Sequence, residues 1–342
     1  MIDFRHFWSL FALLVCLNLS CQKEGSEAPE TTCVAGEGLV GIGYSLWFPP
    51  HGWENVWDLP ELGKYQSKES EIISQHAAWL EEACVDFILL DLSNNIEAGP
   101  DRPDLLAIEE ATEVLVDNYR AHERHLKVVF MLGIDGNPAN ITTGKLQTKV
   151  DSLYQQYFAD GSASAQGDIF LHYEGKPLLV VYVWAPSPFQ NGLPQWTDER
   201  FTVRFMSGWL DAQPALLSGE ACQEEPCQSR YGFWSWWDRS PQSYAVDGDG
   251  EPEFMVVSAA YPGDGGWADE ASVGRRHGQT FKEQWGNVFD IRPHIVLINS
   301  FNEWVRPEEQ DPEFSNDIEP SMTLQHAYLE LLSSQIAKFK GL

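Results

Sequence analysis

Basic side chains are scarce in this sequence. Its 22 Lys and Arg stand against 51 Asp and Glu, for a formal net charge of −29. A surface of that sign repels polyphosphate and anionic lipid headgroups, which excludes nucleic acid as a partner and leaves no charge-driven hold on a membrane. It also argues against polyanionic glycans. Long apolar runs are missing as well: the N-terminal stretch Phe7 to Leu17 is too short to cross a bilayer, which takes about 20 residues. No C-x-x-C pair or H-x₃-H spacing completes a zinc site, so no metal is implied. No glycine-rich loop follows the first strand-like run, which counts against a doubly wound nucleotide-binding sheet, the alternative fold. No repeat of about 20 to 50 residues recurs, which sets solenoids aside.

The N-terminus carries an address. Arg5 and His6 precede the apolar run, and Ser20 precedes Cys21, so residues 1–20 read as a secretory signal. A serine followed by cysteine after such a run resembles the bacterial lipoprotein processing site, although Asn18 stands where leucine is usual. The resemblance implies cleavage before Cys21 and acylation of that cysteine. The chain would then touch the outer membrane or cell surface only through its lipid anchor, with plain secretion as the alternative. Residues 21–37 read as a tether, since Gln22 to Thr32 is polar with Gly, Ser and Pro. Of the cysteines left after Cys21, Cys33, Cys84, Cys222 and Cys227, the pair Cys222 and Cys227 frames a short loop suited to a disulfide in an oxidising compartment.

From residue 38 to 342 short apolar runs alternate with helical stretches, the pattern of one (β/α)₈ barrel, an α/β single domain of the TIM type. The expected strands are Val40 to Tyr44, Phe87 to Leu90, Val128 to Leu132, Leu178 to Val183, Thr202 to Met206, Tyr231 to Ser235, Phe254 to Ala259 and Ile295 to Asn299. Ile72, Ile73, His76, Leu80 and Ala83 share one helical face, as do Leu105, Ile108, Thr112, Leu115 and Tyr119. A last helix from about Met322 to Lys338 closes the ring. A monomer is expected.

Barrels carry their chemistry on the loops after the strand C-termini. Those loops hold Tyr44, Trp47 and His51, then Asp91, Asn94 and Asn95, then Asp135 and Trp184, then, around strand six, Trp234, Trp236, Trp237 and Asp238, then Tyr261, and finally Asn302, Glu303 and Trp304. Flat aromatic faces suit the C–H faces of sugars, and carboxylates and carboxamides suit their hydroxyls, so a polysaccharide or oligosaccharide is the expected partner. Of the neighbours Trp236 and Trp237 at most one faces a ligand, and Trp79 and Trp285, inside helical stretches, read as packing. The acidic run Asp247, Asp249, Glu251, Glu253 reads as a solvated turn rather than a calcium loop. Arg275, Arg276 and His277 are a basic patch or a helix-start feature.

The segment Ile295-Val-Leu-Ile-Asn-Ser-Phe-Asn-Glu-Trp304, with Ile318-Glu319-Pro320 beyond it, looks like the strand-eight signature of glycoside hydrolase family 99, the endo-α-mannosidases and endo-α-mannanases. Related barrels occur among the family 71 α-1,3-glucanases. Gly175 to Tyr182 and Gly278 to Trp285 extend the likeness, which spans roughly residues 38 to 338. The resemblance implies hydrolysis of an extracellular α-mannan or α-glucan without any cofactor. In the family a Glu-Trp-x-Glu pair does the work, the first glutamate as base toward the sugar's own 2-hydroxyl and the second as acid/base. Glu303 matches the first position, and Arg306 stands at the second. A guanidinium cannot protonate a departing oxygen, so another carboxylate must take over or the barrel only binds glycan. Glu319 and Asp91 lead the candidates, ahead of Glu308, Glu309 and Asp238. Arg306 either pairs with Glu303 or makes an ordinary surface salt bridge. The remaining residues named for substrate binding are Tyr44, Trp47, Asn95, Asp135, Trp184, Trp236, Tyr261, Asn302 and Trp304.

Overall fold

Period-two alternation along eight short runs builds eight parallel strands: β1 Leu39–Tyr44, β2 Phe87–Leu92, β3 Lys127–Gly133, β4 Lys176–Tyr182, β5 Thr202–Ser207, β6 Phe233–Ser235, β7 Pro252–Ser258 and β8 Ile295–Asn299. Each overlaps the run expected from sequence. The computed structural model describes residues 33, 36, 38–49, 51–159, 169–183, 196–208, 226–263, 266–304 and 311–342. The expected signal, the tether up to Thr32, and Cys21 within it therefore lie outside the described residues, as does Cys222.

The strands pair in the order β6, β5, β4, β3, β2, β1, β8, β7, all parallel, into a nearly closed (β/α)₈ barrel. Across the seam between β6 and β7 the side chains take over. Trp234 stacks on Phe254 at 4.3 Å between ring centroids, and its indole N–H donates to Glu253 at 2.9 Å. A guanidinium from β5 joins them, Arg204 donating to Glu253 at 2.6 and 2.9 Å. Two-residue strands at His172–Tyr173 and Ala245–Val246 add antiparallel fringes to β4 and β7.

Side-chain parity divides the core in two. Phe87, Leu89, Val129, Met131, Leu178, Val180, Trp236, Val256 and Leu297 fill the barrel interior. Val40, Ile42, Tyr44, Ile88, Leu90, Val128, Phe130 and Val296 face the helix layer instead. On β1 the inward series runs from Leu39 to Gly41 and Gly43, the latter two glycine because a Cβ there would meet the Phe87 ring at 2.1 Å and the Trp236 ring at 2.6 Å. Neighbouring aromatics thus occupy the space that β1 leaves empty.

Among the described residues the α-helices are α1 Ser70–Glu82, α2 Pro103–Ala121, α3 Ala139–Thr142, α4 Lys145–Tyr157, α5 Gln279–Ile291 and α6 Ala327–Lys340. Leu105, Ile108, Thr112, Leu115 and Tyr119 are all buried on α2, and Trp79 and Trp285 pack as expected. Two boundaries differ from the sequence reading. Met322 is 65% exposed, and α6 starts only at Ala327, because the Met322 and Thr323 amides bond to Leu59 and Asp58 rather than opening a helix. Tyr231 is 57% exposed, and β6 begins after it, since Gly232 turns the chain at φ +80°.

A disulfide not anticipated from sequence joins Cys33 to Cys84 at the strand N-terminal end of the barrel. Beside it the Lys340 ammonium donates to the Cys84 carbonyl at 2.9 Å and to Asp86 at 2.7 Å, and Asp86 accepts the Val40 amide at 2.7 Å. The bridge spans 51 residues, so loop-closure entropy in the unfolded chain sets its worth at about 2–4 kcal/mol. Cys33→Ser is therefore expected to lower the unfolding free energy by about that amount in urea melts. A midpoint equal to wild type under non-reducing conditions would contradict this.

Candidate active site

At the C-terminal end of β8 the chain turns through Ser300 to Trp304 and is met by the segment Ser315 to Ser321. One buried carboxylate joins the two. Asp317 Oδ1 accepts from the Ser300 hydroxyl at 2.7 Å and the Glu303 amide at 2.7 Å. Its Oδ2 accepts from the Trp304 amide at 2.9 Å, the Trp57 indole at 2.8 Å and the Ser315 hydroxyl at 3.0 Å. An ion taken out of water costs several kcal/mol, and five donors are what make its burial tolerable. The backbone of Glu303 is thereby fixed in direction. From the other flank the Trp47 indole donates to the Glu303 carbonyl at 3.1 Å.

Glu319 occupies a different place from the one expected of it. It is 2% exposed and accepts from the Tyr65 hydroxyl at 2.8 Å, the Trp304 indole at 2.6 Å and His76 Nε2 at 3.0 Å. His76 Nδ1 lies 2.8 Å from the Tyr44 hydroxyl, so a neutral ring with its proton on Nε2 satisfies both neighbours. Burial, with Glu319 nearby, drives the hydroxyl pKa of Tyr44 and Tyr65 well up, which keeps both as donors. With its oxygens engaged inside the fold, Glu319 supports the strand-eight turn and cannot reach a glycosidic oxygen.

Five of the expected sugar contacts also turn out to be structural. Tyr44 sits on an outward position of β1 and stacks on Phe301. The Asn302 carboxamide is spent on Ser45, accepting its amide at 2.8 Å and donating to its carbonyl at 3.0 Å, which ties the exits of β1 and β8 together. Trp304 is fully buried and stacks on Trp57 at 4.8 Å. Asn95 is buried and donates to the Leu105 carbonyl and to Glu109, both on α2. Tyr261 is buried, its backbone paired with Val273. Asp238 is buried and accepts from the amide and hydroxyl of Ser243. Arg275 is no surface patch, since its buried guanidinium donates to the Pro312 and Asp317 carbonyls and lies over Tyr328 at 4.2 Å.

Among the described residues, what lines the mouth is a smaller set. Glu303 and Trp47 are half-buried, Asp135 is exposed, and Trp236 shows only 7% of its surface, lying across Gly43 as a floor. Trp184, Arg306, Glu308 and Glu309 lie outside the described residues. Asp91 follows Phe87 and Leu89 on the inward parity of β2, and its Oδ1 accepts the Ser93 amide at 2.8 Å. Burial raises its carboxyl pKa, and the bonds from Ser93 only temper that. Tyr182 continues the inward series Leu178, Val180 on β4, and its hydroxyl pKa is driven up by burial, then by Asp91, then by Glu303. The two carboxylates and this phenol share one electrostatic environment. On the rim His51 meets Trp47 edge-on at 5.1 Å, and its pKa is lowered by burial against the upward pull of Asp104. Asp135 is raised by its surroundings, chiefly desolvation and then Glu97.

Sequence reasoning missed Tyr182 and Asp317. Strand parity from Leu178 was the available signal for the first, and for the second its position just before Ile318-Glu319-Pro320.

No family model and no curated protein matches the chain. Solved structures do. An endo-α-mannosidase of glycoside hydrolase family 99 from Bacteroides thetaiotaomicron, in complex with bis-tris-propane, superposes with a TM-score of 0.58 at 16% identity, covering 90% of this chain and 98% of that one. A second structure of the family 99 endo-α-mannosidase from that organism gives 0.57 at 15% identity, covering 90% and 99%. The fold is family 99-like. A glycoside hydrolase-like protein follows with 0.54 at 11% identity, covering 91% and 97%. At these identities the likeness establishes the architecture of a glycoside hydrolase barrel.

Asp317→Asn turns an amide donor toward groups that already donate. The substitution is expected to cost about 2–4 kcal/mol in urea unfolding, because it leaves buried N–H groups unpaired. A loss below about 0.5 kcal/mol would mean that the five contacts do not hold the turn.

Proposed function

We propose that this chain is a glycoside hydrolase that cleaves internal bonds of a neutral extracellular polysaccharide of the α-mannan or α-glucan type. Glu303 acts as the base or nucleophile, and Asp91 supplies the proton. The observation that carries the reading is the contrast between the two carboxylates at one barrel mouth: Glu303 is held by its backbone through Asp317, while burial favours the protonated form of Asp91. Glycosidases work with two carboxyl groups at the bond, one of which must hold a proton to give to the departing oxygen. Asp91 thereby fills the role that Arg306 cannot. The Cys33–Cys84 bridge supports export, since such bonds persist in oxidising compartments, and with Cys21 acylated the barrel would be displayed on the cell surface for glycan foraging.

One observation favours a second reading. Arg306, where the family resemblance calls for a second glutamate, fits a surface lipoprotein that binds glycan without cleaving it. The readings part on purified residues 33–342 screened against α-mannans and α-1,3-glucans. Glu303→Gln and Asp91→Asn are each expected to lower turnover on the order of 10²- to 10⁴-fold. Glycan binding with no turnover in wild type would select the second reading.

The pH profile adds a check with a definite sign. A carboxyl whose folded pKa is raised holds its proton to higher pH, so activity should fall as pH rises through that value. Asp91→Asn should abolish this alkaline limb. By the same linkage the protonated carboxyl stabilises the fold at low pH, and that contribution is lost as pH rises. Asp91→Asn should accordingly have a higher Tm than wild type at neutral pH, with the gap closing on acidification. A constant gap across pH would refute the assignment.

A further inference from the structure

On the outer wall of the barrel the last turn of α1 and the first two turns of α6 enclose a cavity of about 530 Å³. Its floor is apolar, made by Ala83, Leu329 and the edge of Trp79. That indole is 9% exposed. His76 stacks on it at 6.0 Å and His326 meets it at right angles at 5.3 Å, so the ring turns an edge rather than a face to the cavity. The indole N–H has no hydrogen-bond partner among the described residues. An N–H left unpaired at the wall of a cavity is a donor for whatever enters it.

Acceptors stand around that donor. Glu82 lies three places beyond Trp79 on the same face of α1, and Glu330 faces it from α6. Neither carboxylate has a hydrogen bond or ion pair among the described residues. Ser333 and Ser334, three and four places beyond Glu330, add two hydroxyls on the same face of α6. His326 is held in place by Glu61, 3.1 Å from its Nε2.

We propose that this cavity is a second, non-catalytic glycan site on the barrel wall, which holds a short stretch of neutral hexose units. Electrostatics select the class. Two unpaired carboxylates repel uronic acids, sulfated sugars and phosphates, and the positive end of the Trp79 N–H dipole opposes an ammonium. A sugar hydroxyl suits both, since it donates through its hydrogen to Glu82 or Glu330 and accepts through a lone pair from Trp79. The apolar floor takes a C–H face of the ring, and the volume falls within the roughly 300–1,000 Å³ of small-molecule sites. A polymer bound at wall and mouth together is retained longer than either site alone would hold it, because the second contact is intramolecular. The wall site is a statement about binding, and only its use in holding a polymer for cleavage rests on the hydrolase reading above.

The test follows the Trp79 indole N–H by ¹H–¹⁵N NMR in the chain from residue 21 onward, with Cys21→Ser to prevent acylation and Glu303→Gln to stop turnover. Neutral oligosaccharides prepared from an α-mannan and from an α-1,3-glucan are titrated in, and the Trp79→Phe spectrum assigns the signal. The signal should shift and saturate with at least one of the two families. Glu82→Ala combined with Glu330→Ala, both at exposed positions, should weaken that saturation about tenfold or more through loss of charge-assisted hydrogen bonds. In the Glu303 protein the same pair of substitutions should leave Tm and turnover of short oligosaccharides unchanged. Where Trp79→Phe folds poorly, calorimetric affinities of the Glu82→Ala, Glu330→Ala protein decide. A Trp79 signal that neither family moves would overturn the site, as would an affinity unchanged in the double variant. Glucosamine binding more tightly than glucose would overturn the neutral assignment. Turnover by the Glu303 protein with an unmoved Trp79 signal would remove the wall site and leave the hydrolase. A shift weakened in the double variant, with a Glu303 protein that never turns over, would keep the wall site and remove the hydrolase.

Discussion

Everything at the barrel mouth hangs on the Asp317 carboxylate. Its five donors come from three separate stretches of chain: the β8 exit, the loop after β1 through Trp57, and its own segment through Ser315. The Arg275 guanidinium, donating to the Asp317 carbonyl, brings in the approach to α5. A buried anion has few low-energy alternatives once its donors are placed, because moving any one of them strands a charge or an N–H in a dry interior. That rigidity is passed to Glu303 by a backbone bond, which sets the direction in which its side chain leaves the turn.

Glu319 extends the same logic to the outside of the turn. Together with His76, Tyr65 and Tyr44 it forms a continuous polar chain from α1 to Trp304. Around it Phe48, Trp57, Tyr65 and Trp304 make a small aromatic core apart from the two main ones, with Trp53 and Trp47 packed on its edge. The many aromatics that suggested a sugar site in the sequence thus have two employments. Some fill this satellite core so that a single ring, Trp47, can stand fixed beside Glu303.

The architecture was legible because alternation and helical period are local signals, and eight strands with the faces of α1 and α2 follow from them directly. Site membership was less legible, for reasons that differ by residue. Tyr44 was placed at the mouth because it ends a strand, yet parity set by Gly41 and Gly43 turns it outward. Asn302 looked like a sugar ligand by type. Its partner Ser45 lies 257 positions away, and no spacing rule reveals such a pairing. The Cys33–Cys84 bridge was hidden for the same reason. Asp91 was named from its place at a strand end, and the inward parity it shares with Phe87 and Leu89 is a local signal that would equally have pointed to Tyr182.

The clamp at the other end of the barrel also determines how the molecule bears mechanical load. Tension applied to the chain ahead of Cys33 meets the disulfide first, and passes through it to the end of α1. From there the Lys340 bond to the Cys84 carbonyl shares the force with the last turn of α6. The same cluster reaches β1 through Asp86, which accepts the Val40 amide, so a pull on the N-terminus is divided among α1, α6 and the strand whose exit carries Ser45, the partner of Asn302.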